Sequence, residues 1–187
     1  MKTPDETNSY VYEEWLEWEG HWELIDGTPY NMTPAPSWDH QYIVGELYFG
    51  LRSHFQNESC FVAVAPFDVY LSENEDYEKP EHVVQPDITV MCNEKLLSKK
   101  GYYGAPNLIV EVLSPSTALK DRNEKFKKYQ QFGVKEYWIV DPNYKMIEVF
   151  GLEDGYYRKK EVFGEDNKLK SFIFEDLEIT LKQIFEK

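Results

Sequence analysis

Asn107-Leu108-Ile109-Val110-Glu111-Val112-Leu113-Ser114-Pro115 is the stretch on which the fold turns. It is an apolar strand interrupted by one carboxylate and ended by a Ser-Pro pair. A carboxylate buried there without a partner would be expelled or neutralised, so Glu111 needs a metal ion, a cation or a proton beside it. That need makes this strand the first place to look for chemistry.

Working outward, Ser114-Pro115-Ser116-Thr117 leads into a predicted helix that extends to about Phe132 and stops at Gly133. At about 100° per residue, Lys125 falls in the sector of Asp121, Tyr129 and Phe132, whereas Lys120, Asn123 and Lys127 point roughly the opposite way. Lys125 is thus the lysine aimed inward. A lone inward lysine most often snorkels or pairs with an acid, but its place one helix after Glu111 favours a functional part. On the other side of the strand, a Lys/Gly/Tyr-rich loop spans Leu96 to Gly104, and Ile88 to Met91 forms a strand opened by Pro86-Asp87. Side-chain alternation puts Asp87 on the face of Thr89 and Met91, and Glu111 on that of Ile109 and Leu113.

Further out, Tyr12 to Glu19 reads as a short helix, and Asp26-Gly27 marks a hairpin within Trp22 to Tyr30. Pro34 and Pro36 break the chain. Ser37 or Asp39 caps a helix running to about Gln56, with Ile43, Leu47, Leu51 and His54 on one face and His40 and Glu46 flanking it. Strands are expected at Phe61 to Pro66 and Phe67 to Leu71, then an exposed acidic loop from Glu73 to Glu81. After the central helix, strands are expected at Tyr137 to Val140, Met146 to Phe150, Tyr156 to Phe163 and Ser171 to Phe174, and a terminal helix from about Leu181. No internal repeat or low-complexity linker interrupts the series. Helix, strands, helix, strands is the order of an α/β or α+β domain with a mixed sheet.

The 187 residues fit one domain with a sizeable core, and 42% hydrophobic content with 14 Tyr, 11 Phe and 5 Trp excludes a disordered chain. The polar, acidic start and the lack of any run of about 18 apolar residues argue against a signal peptide or a membrane span, so a cytoplasmic location is expected. Cys60 and Cys92 lie far apart without metal-ligand spacing and read as reduced packing residues. The net charge of -14 speaks against a nucleic-acid partner, but its distribution does not: residues 95 to 135 hold 9 Lys and Arg against 3 Asp and Glu. Such a segment is also what a solvated helix face with a lysine-rich loop would show.

Gln85-Pro86-Asp87, Gly104 to Thr117, Asp121, Glu124-Lys125, Tyr129 and Gly133 to Pro142 together resemble the Uma2 family (DUF820) of the PD-(D/E)XK nuclease superfamily. Glu23-Leu24-Ile25-Asp26-Gly27 and His40 extend the likeness toward the N-terminus, and the tail after about Phe150 adds little. The resemblance implies a restriction-endonuclease-like core, a mixed central β-sheet flanked by helices. It divides residues 1–187 into an N-terminal helix and hairpin (about 10–32), a nuclease core (about 37–150) and C-terminal strands with a short helix (151–187). It further implies a homodimer and a Mg²⁺ or Mn²⁺ ion held by Asp87, Glu111 and the backbone carbonyl of Val112, hard oxygen donors that suit these ions.

The superfamily pattern places a lysine two residues after the acid, where this chain has Leu113; Lys125 fits a migration of that lysine to the next helix. Its part would be to orient the attacking water and stabilise charge on phosphate. Asn107 stands where an acid is common. Glu46 is a candidate extra acid, His40 a candidate contact to metal or substrate, though capping a packed helix is the commoner role of such a histidine. Lys99, Lys100, Tyr102 and Tyr103 form an aromatic-basic loop able to touch phosphates and bases, or simply to cover the sheet. Ser114 lacks a His or acid at a nucleophile's spacing. The expected function is metal-dependent cleavage of DNA; the alternatives are a nuclease acting on RNA and a non-catalytic binding or dimerisation module keeping the fold.

Overall fold

The computed structural model describes residues 2–32, 36–73 and 77–186; the expected break at Pro34 and the middle of the acidic loop, residues 74–76, lie outside them. Helix α1 (Tyr12–Trp15) is one turn, shorter than the expected reach to Glu19, because Gly20 turns the backbone at φ 98° and Trp15 donates its indole N–H to the Trp22 carbonyl. The hairpin of β1 (Trp22–Ile25) and β2 (Thr28–Asn31) follows. Asp26 and Gly27 both take positive φ, 51° and 74°, the requirement of the tight hairpin turn that Asp-Gly fits. Helix α2 (Trp38–His54) starts at Ser37, whose Oγ accepts the His40 N–H at 3.3 Å, and buries Ile43, Leu47 and Leu51.

Four short strands come next: β3 (Phe61–Val64), β4 (Val69–Leu71), β5 (His82–Val84) and β6 (Ile88–Met91). β5 has no counterpart in the sequence reading, which ends its acidic loop at Glu81 and assigns no element to residues 82–84. β7 (Tyr102–Tyr103) and the glutamate strand β8 (Leu108–Val112) precede a helical segment in three parts: α3 (Ala118–Lys120), a π turn (Asp121–Lys125) and α4 (Phe126–Phe132). Gly133 ends it at φ 84°. The chain closes with β9 (Glu136–Asp141), β10 (Met146–Glu153), β11 (Tyr156–Gly164), β12 (Lys168–Lys170), β13 (Glu178–Thr180) and α5 (Leu181–Phe185). Residues 171–174 are not the expected strand. The buried Glu136 carboxylate accepts the Ser171 hydroxyl and the N–H groups of Phe172 and Ile173, occupying donors that a ladder would use.

Two main sheets result. One has six strands in the order β11-β10-β9-β8-β6-β3, antiparallel except for the β8–β9 pair; the other has five in the order β2-β1-β5-β4-β7. A mixed α/β architecture was the expectation, and it is what forms. One face of the six-stranded sheet, through Ile88, Val90, Val110, Val112, Trp138 and Val140, packs on α2 and α5. Fully burying a residue such as Leu47 or Leu51 there contributes about 2–3 kcal/mol. The opposite face, through Met91, Ile109, Tyr137 and Ile139, packs on Tyr129 of α4 and on Ile25, Val69, Leu71 and Val84 of the second sheet. Glu111 lies on this second face.

Cys60 and Cys92 form a disulfide, which corrects the expectation of two reduced thiols. The register supplies the reason. Phe61 pairs with Met91, so the next residue outward on each strand faces the other, with Cα atoms 4.1 Å apart.

Candidate active site

Ile88 pairs with Val110 across β6 and β8, so Asp87 and Glu111, one step further along, stand opposite one another at the strand ends. The Asp87 carboxylate accepts the Val112 N–H at 2.7 Å, and the Asp87 N–H approaches Glu111 Oε2 at 3.4 Å. The two acids are thus fixed by the sheet itself. His40, buried in the first turn of α2, places Nε2 3.3 Å from the Asp87 carboxylate. Burial works against a charged ring, but the contact with Asp87 and the nearby Val112 carbonyl outweigh it, and the pKa of His40 lies above the usual value.

Glu111 is almost completely buried. Its Oε1 accepts from Lys125 Nζ at 2.7 Å and from the Tyr129 hydroxyl at 2.8 Å. Burial raises its pKa; Lys125 opposes this, while Asp121, Asp87 and Glu23 add to the rise. Lys125 itself is buried among acids, 2.7 Å from Glu111 and from Glu23 and 3.8 Å from Asp121. Burial would discharge it, but Glu111, Glu23 and Asp121 hold its pKa well above the ordinary value, so it is an ammonium donor.

Four residues of this cluster are not among the site candidates of the sequence reading: Glu23 and Lys120, and also Asp121 and Tyr129, which it places on the inward helix face. Glu23, on β1, is fully buried and bonds Lys120 at 2.6 Å as well as Lys125. Its signal is present: in Trp22-Glu23-Leu24-Ile25 a carboxylate interrupts an apolar strand, as Glu111 does. Lys120, expected to point away, is buried against Glu23. The π turn is the reason: its i to i+5 repeat brings residues five apart onto one side, where a uniform α-helical repeat separates them.

A cavity of 890 Å³ opens over these groups, walled by the hairpin at Thr28–Met32, the start of α2, the Ser114–Thr117 turn and the π turn. Asp87, Glu111, Lys120, Asp121, Lys125 and His40 all reach it. Glu46 does not line it, since six residues along α2 turn it roughly 240° from His40. Nor do Lys99, Lys100, Tyr102 and Tyr103. The Tyr102 ring is buried in the core and Tyr103 stacks on Tyr70, so these aromatics cover the second sheet rather than offer a stacking platform. Four of the basic residues between 95 and 135 are also spent internally: Lys120, Arg122, Lys125 and Lys128 pair with Glu23, Glu148, Glu111 and Asp26 respectively.

The donor set fits a divalent cation. Glu23, Asp87, Glu111 and Asp121 bring four carboxylates against the two ammonium groups of Lys120 and Lys125, a local shortage of positive charge; separately, burial first and neighbouring acids after it raise the pKa values of Glu111 and Asp121. One divalent ion would make the shortage good. Among the described residues no three His, Cys, Asp or Glu side chains converge as a complete metal shell. Asp87 and Glu111 would therefore share an ion with a backbone carbonyl, water and phosphate, a shell that Mg²⁺ accepts.

Known proteins bear on the fold and the family. A crystal structure described as "a putative nuclease belonging to DUF820", from Anabaena variabilis, matches with a TM-score of 0.74 over 94% of this chain and 97% of that one; at 19% identity it shows the shared fold. An uncharacterised protein of Synechocystis is 27% identical over 147 residues, 76% of this chain and 74% of that protein. The Uma2 family, described as "Putative restriction endonuclease", matches residues 11–182. That span runs from the first helix into the last and includes every side chain of the cluster: the chain belongs to the Uma2 family.

Proposed function

We propose that the protein is a divalent-metal-dependent endonuclease that hydrolyses phosphodiester bonds in DNA. One observation carries this reading: Asp87 and Glu111 are opposed across paired strands at a cavity, beside a buried ammonium. A hydrophobic scaffold has no use for that arrangement, because buried charges of this kind add little stability over apolar residues of similar volume.

Asp87, Glu111 and the Val112 carbonyl would hold Mg²⁺ or Mn²⁺, which when bound supplies Lewis-acid polarisation of the phosphoryl oxygen and a more acidic water. Lys125 does not serve as a base, since three acids keep it protonated. It donates to Glu111, holds that carboxyl in place and favours its ionised form against the effect of burial, and adds positive potential where charge develops on phosphate. Tyr129 fixes the same oxygen from the helix side. His40 orients Asp87 from the opposite wall.

The test is cleavage of supercoiled, linear, branched and single-stranded DNA and of RNA in Mg²⁺ and Mn²⁺, with Glu111→Ala as control. Cutting of DNA by the unaltered protein and a loss of about a hundredfold or more in the variant are expected. Preference for RNA would replace the substrate. Equal activity in both proteins, or none across the panel, would favour a non-catalytic binding module.

A further inference from the structure

Glu23 belongs to a different sheet from the two acids it serves. β1 lies in the five-stranded sheet, whereas Asp87 and Glu111 stand at the ends of neighbouring strands of the six-stranded one. Both oxygens of the Glu23 carboxylate face donors. Oε1 accepts from Lys125 Nζ at 2.7 Å and from the Gln85 N–H at 2.8 Å, and Oε2 accepts from Lys120 Nζ at 2.6 Å. Burial alone would neutralise so deep a carboxyl, yet Lys125 and Lys120 together hold its pKa below the usual value.

The geometry around Lys125 shows what this achieves. Its ammonium lies 2.7 Å from Glu23 and 2.7 Å from Glu111, shared evenly between them. Lacking Glu23, the ammonium would be left to Glu111, with Asp121 further off at 3.8 Å, and would compete more strongly with any cation for the Glu111 carboxylate. Lacking Lys120, the second oxygen of Glu23 would lose its anchor and Glu23 could turn. We propose that Glu23 is a positioning residue of this site: by holding Lys120 and Lys125 with one carboxylate it shares Lys125 between two acids and leaves Glu111 open to a divalent ion. The inference rests on Asp87 and Glu111 being that ion's ligands, and it adds a residue of the hairpin to the machinery.

The test is Mn²⁺ binding to the full chain without nucleic acid, followed by loss of the free-ion electron paramagnetic resonance signal, with thermal melting to confirm the fold of each variant. Glu23→Gln should weaken Mn²⁺ about tenfold to a hundredfold, the range for residues that orient metal ligands. Glu23→Gln/Lys120→Met removes one charge of each sign, so the net charge of the cluster returns to its original value. It should nevertheless stay weak. Recovery of full affinity in the double variant would mean that Glu23 acts through net charge alone and would overturn the inference, as would unchanged affinity in Glu23→Gln. Should Glu23→Gln fail to fold, Glu23→Asp keeps the charge but is one methylene too short to meet both lysines. It should still lose affinity, and wild-type binding by it would sink the idea. An unaltered protein that binds no Mn²⁺ would remove the metal site and this inference together, whereas binding lost in Glu111→Gln and kept in Glu23→Gln would remove the inference alone.

Discussion

His82 is neutral in the fold, and its surroundings say why. The ring is buried on β5, its Nδ1 accepts the Asp26 N–H at 3.1 Å, and Phe132 packs edge-on against it. Burial first, then the charge of Lys128, push its pKa down to about 4, against the pull of Asp26 and Glu81. In the unfolded chain the imidazole takes its proton near the ordinary histidine value of about 6.5. Between these values the unfolded state binds more protons, so stability is complete above about pH 6.5 and falls as pH drops toward about 4, by up to about 3 kcal/mol. His82→Gln keeps an acceptor and cannot titrate. Urea unfolding at about pH 7 and about pH 4.5 should show a smaller loss for the variant than for the unaltered protein. An equal loss would assign the effect to other groups. Residues of this kind show what a sequence discloses. Asp87, Glu111 and Lys125 were legible because strand alternation and helical phase give side-chain direction without tertiary knowledge. Glu23 obeys the same rule as Glu111, but a strand beside an Asp-Gly turn reads as half-exposed until the second sheet is known to cover it. His82 carries no local mark at all.

At the scale of elements, the helical segment after β8 is the informative failure. A uniform repeat puts Lys120 and Lys125 on opposite sides; the π turn brings them together, and the pull of one buried carboxylate on two ammonium groups is a tertiary cause with no local sequence pattern. The C-terminal segment fails for a similar reason. Ser171 to Phe174 has the composition of a strand, but Glu136, at the start of β9, captures its donors. Glu136→Ala would leave those N–H groups and the Trp138 indole without their acceptor, at a cost of about 2–3 kcal/mol. Hydrogen exchange at Phe172 and Ile173 should accelerate well ahead of exchange in β8 and β9. Uniform acceleration across all three would show that Glu136 supports the whole sheet instead of the tail. β5 was unreadable for want of length: three residues with a histidine among them do not announce a strand that two neighbours create by pairing with it.

For the whole molecule, charge sets the terms of approach. The chain carries -14 overall, and four of the nine basic residues between 95 and 135 are paired with its own acids, Lys120 and Lys125 of them buried. Lys99 and Lys100 remain exposed but lie outside the cavity. Solvent screening leaves little of their field at a substrate in the cleft, so Lys99→Glu/Lys100→Glu should change metal-dependent affinity for DNA by less than about threefold at physiological salt. A larger loss in filter binding would place the polyanion along the Leu96 to Gly104 loop. No helix of the described residues is long and apolar enough to cross a membrane.

The division of the cluster between two sheets and one helical segment bears on how the protein comes into being. During synthesis Glu23 leaves the ribosome first, Asp87 and Glu111 follow, and Lys120 and Lys125 come last. Until the lysines dock, the earlier part of the chain holds acids with no cation to face them. Mutual repulsion would keep them apart and hydrated. Assembly of the cleft and neutralisation of its charges are therefore one event.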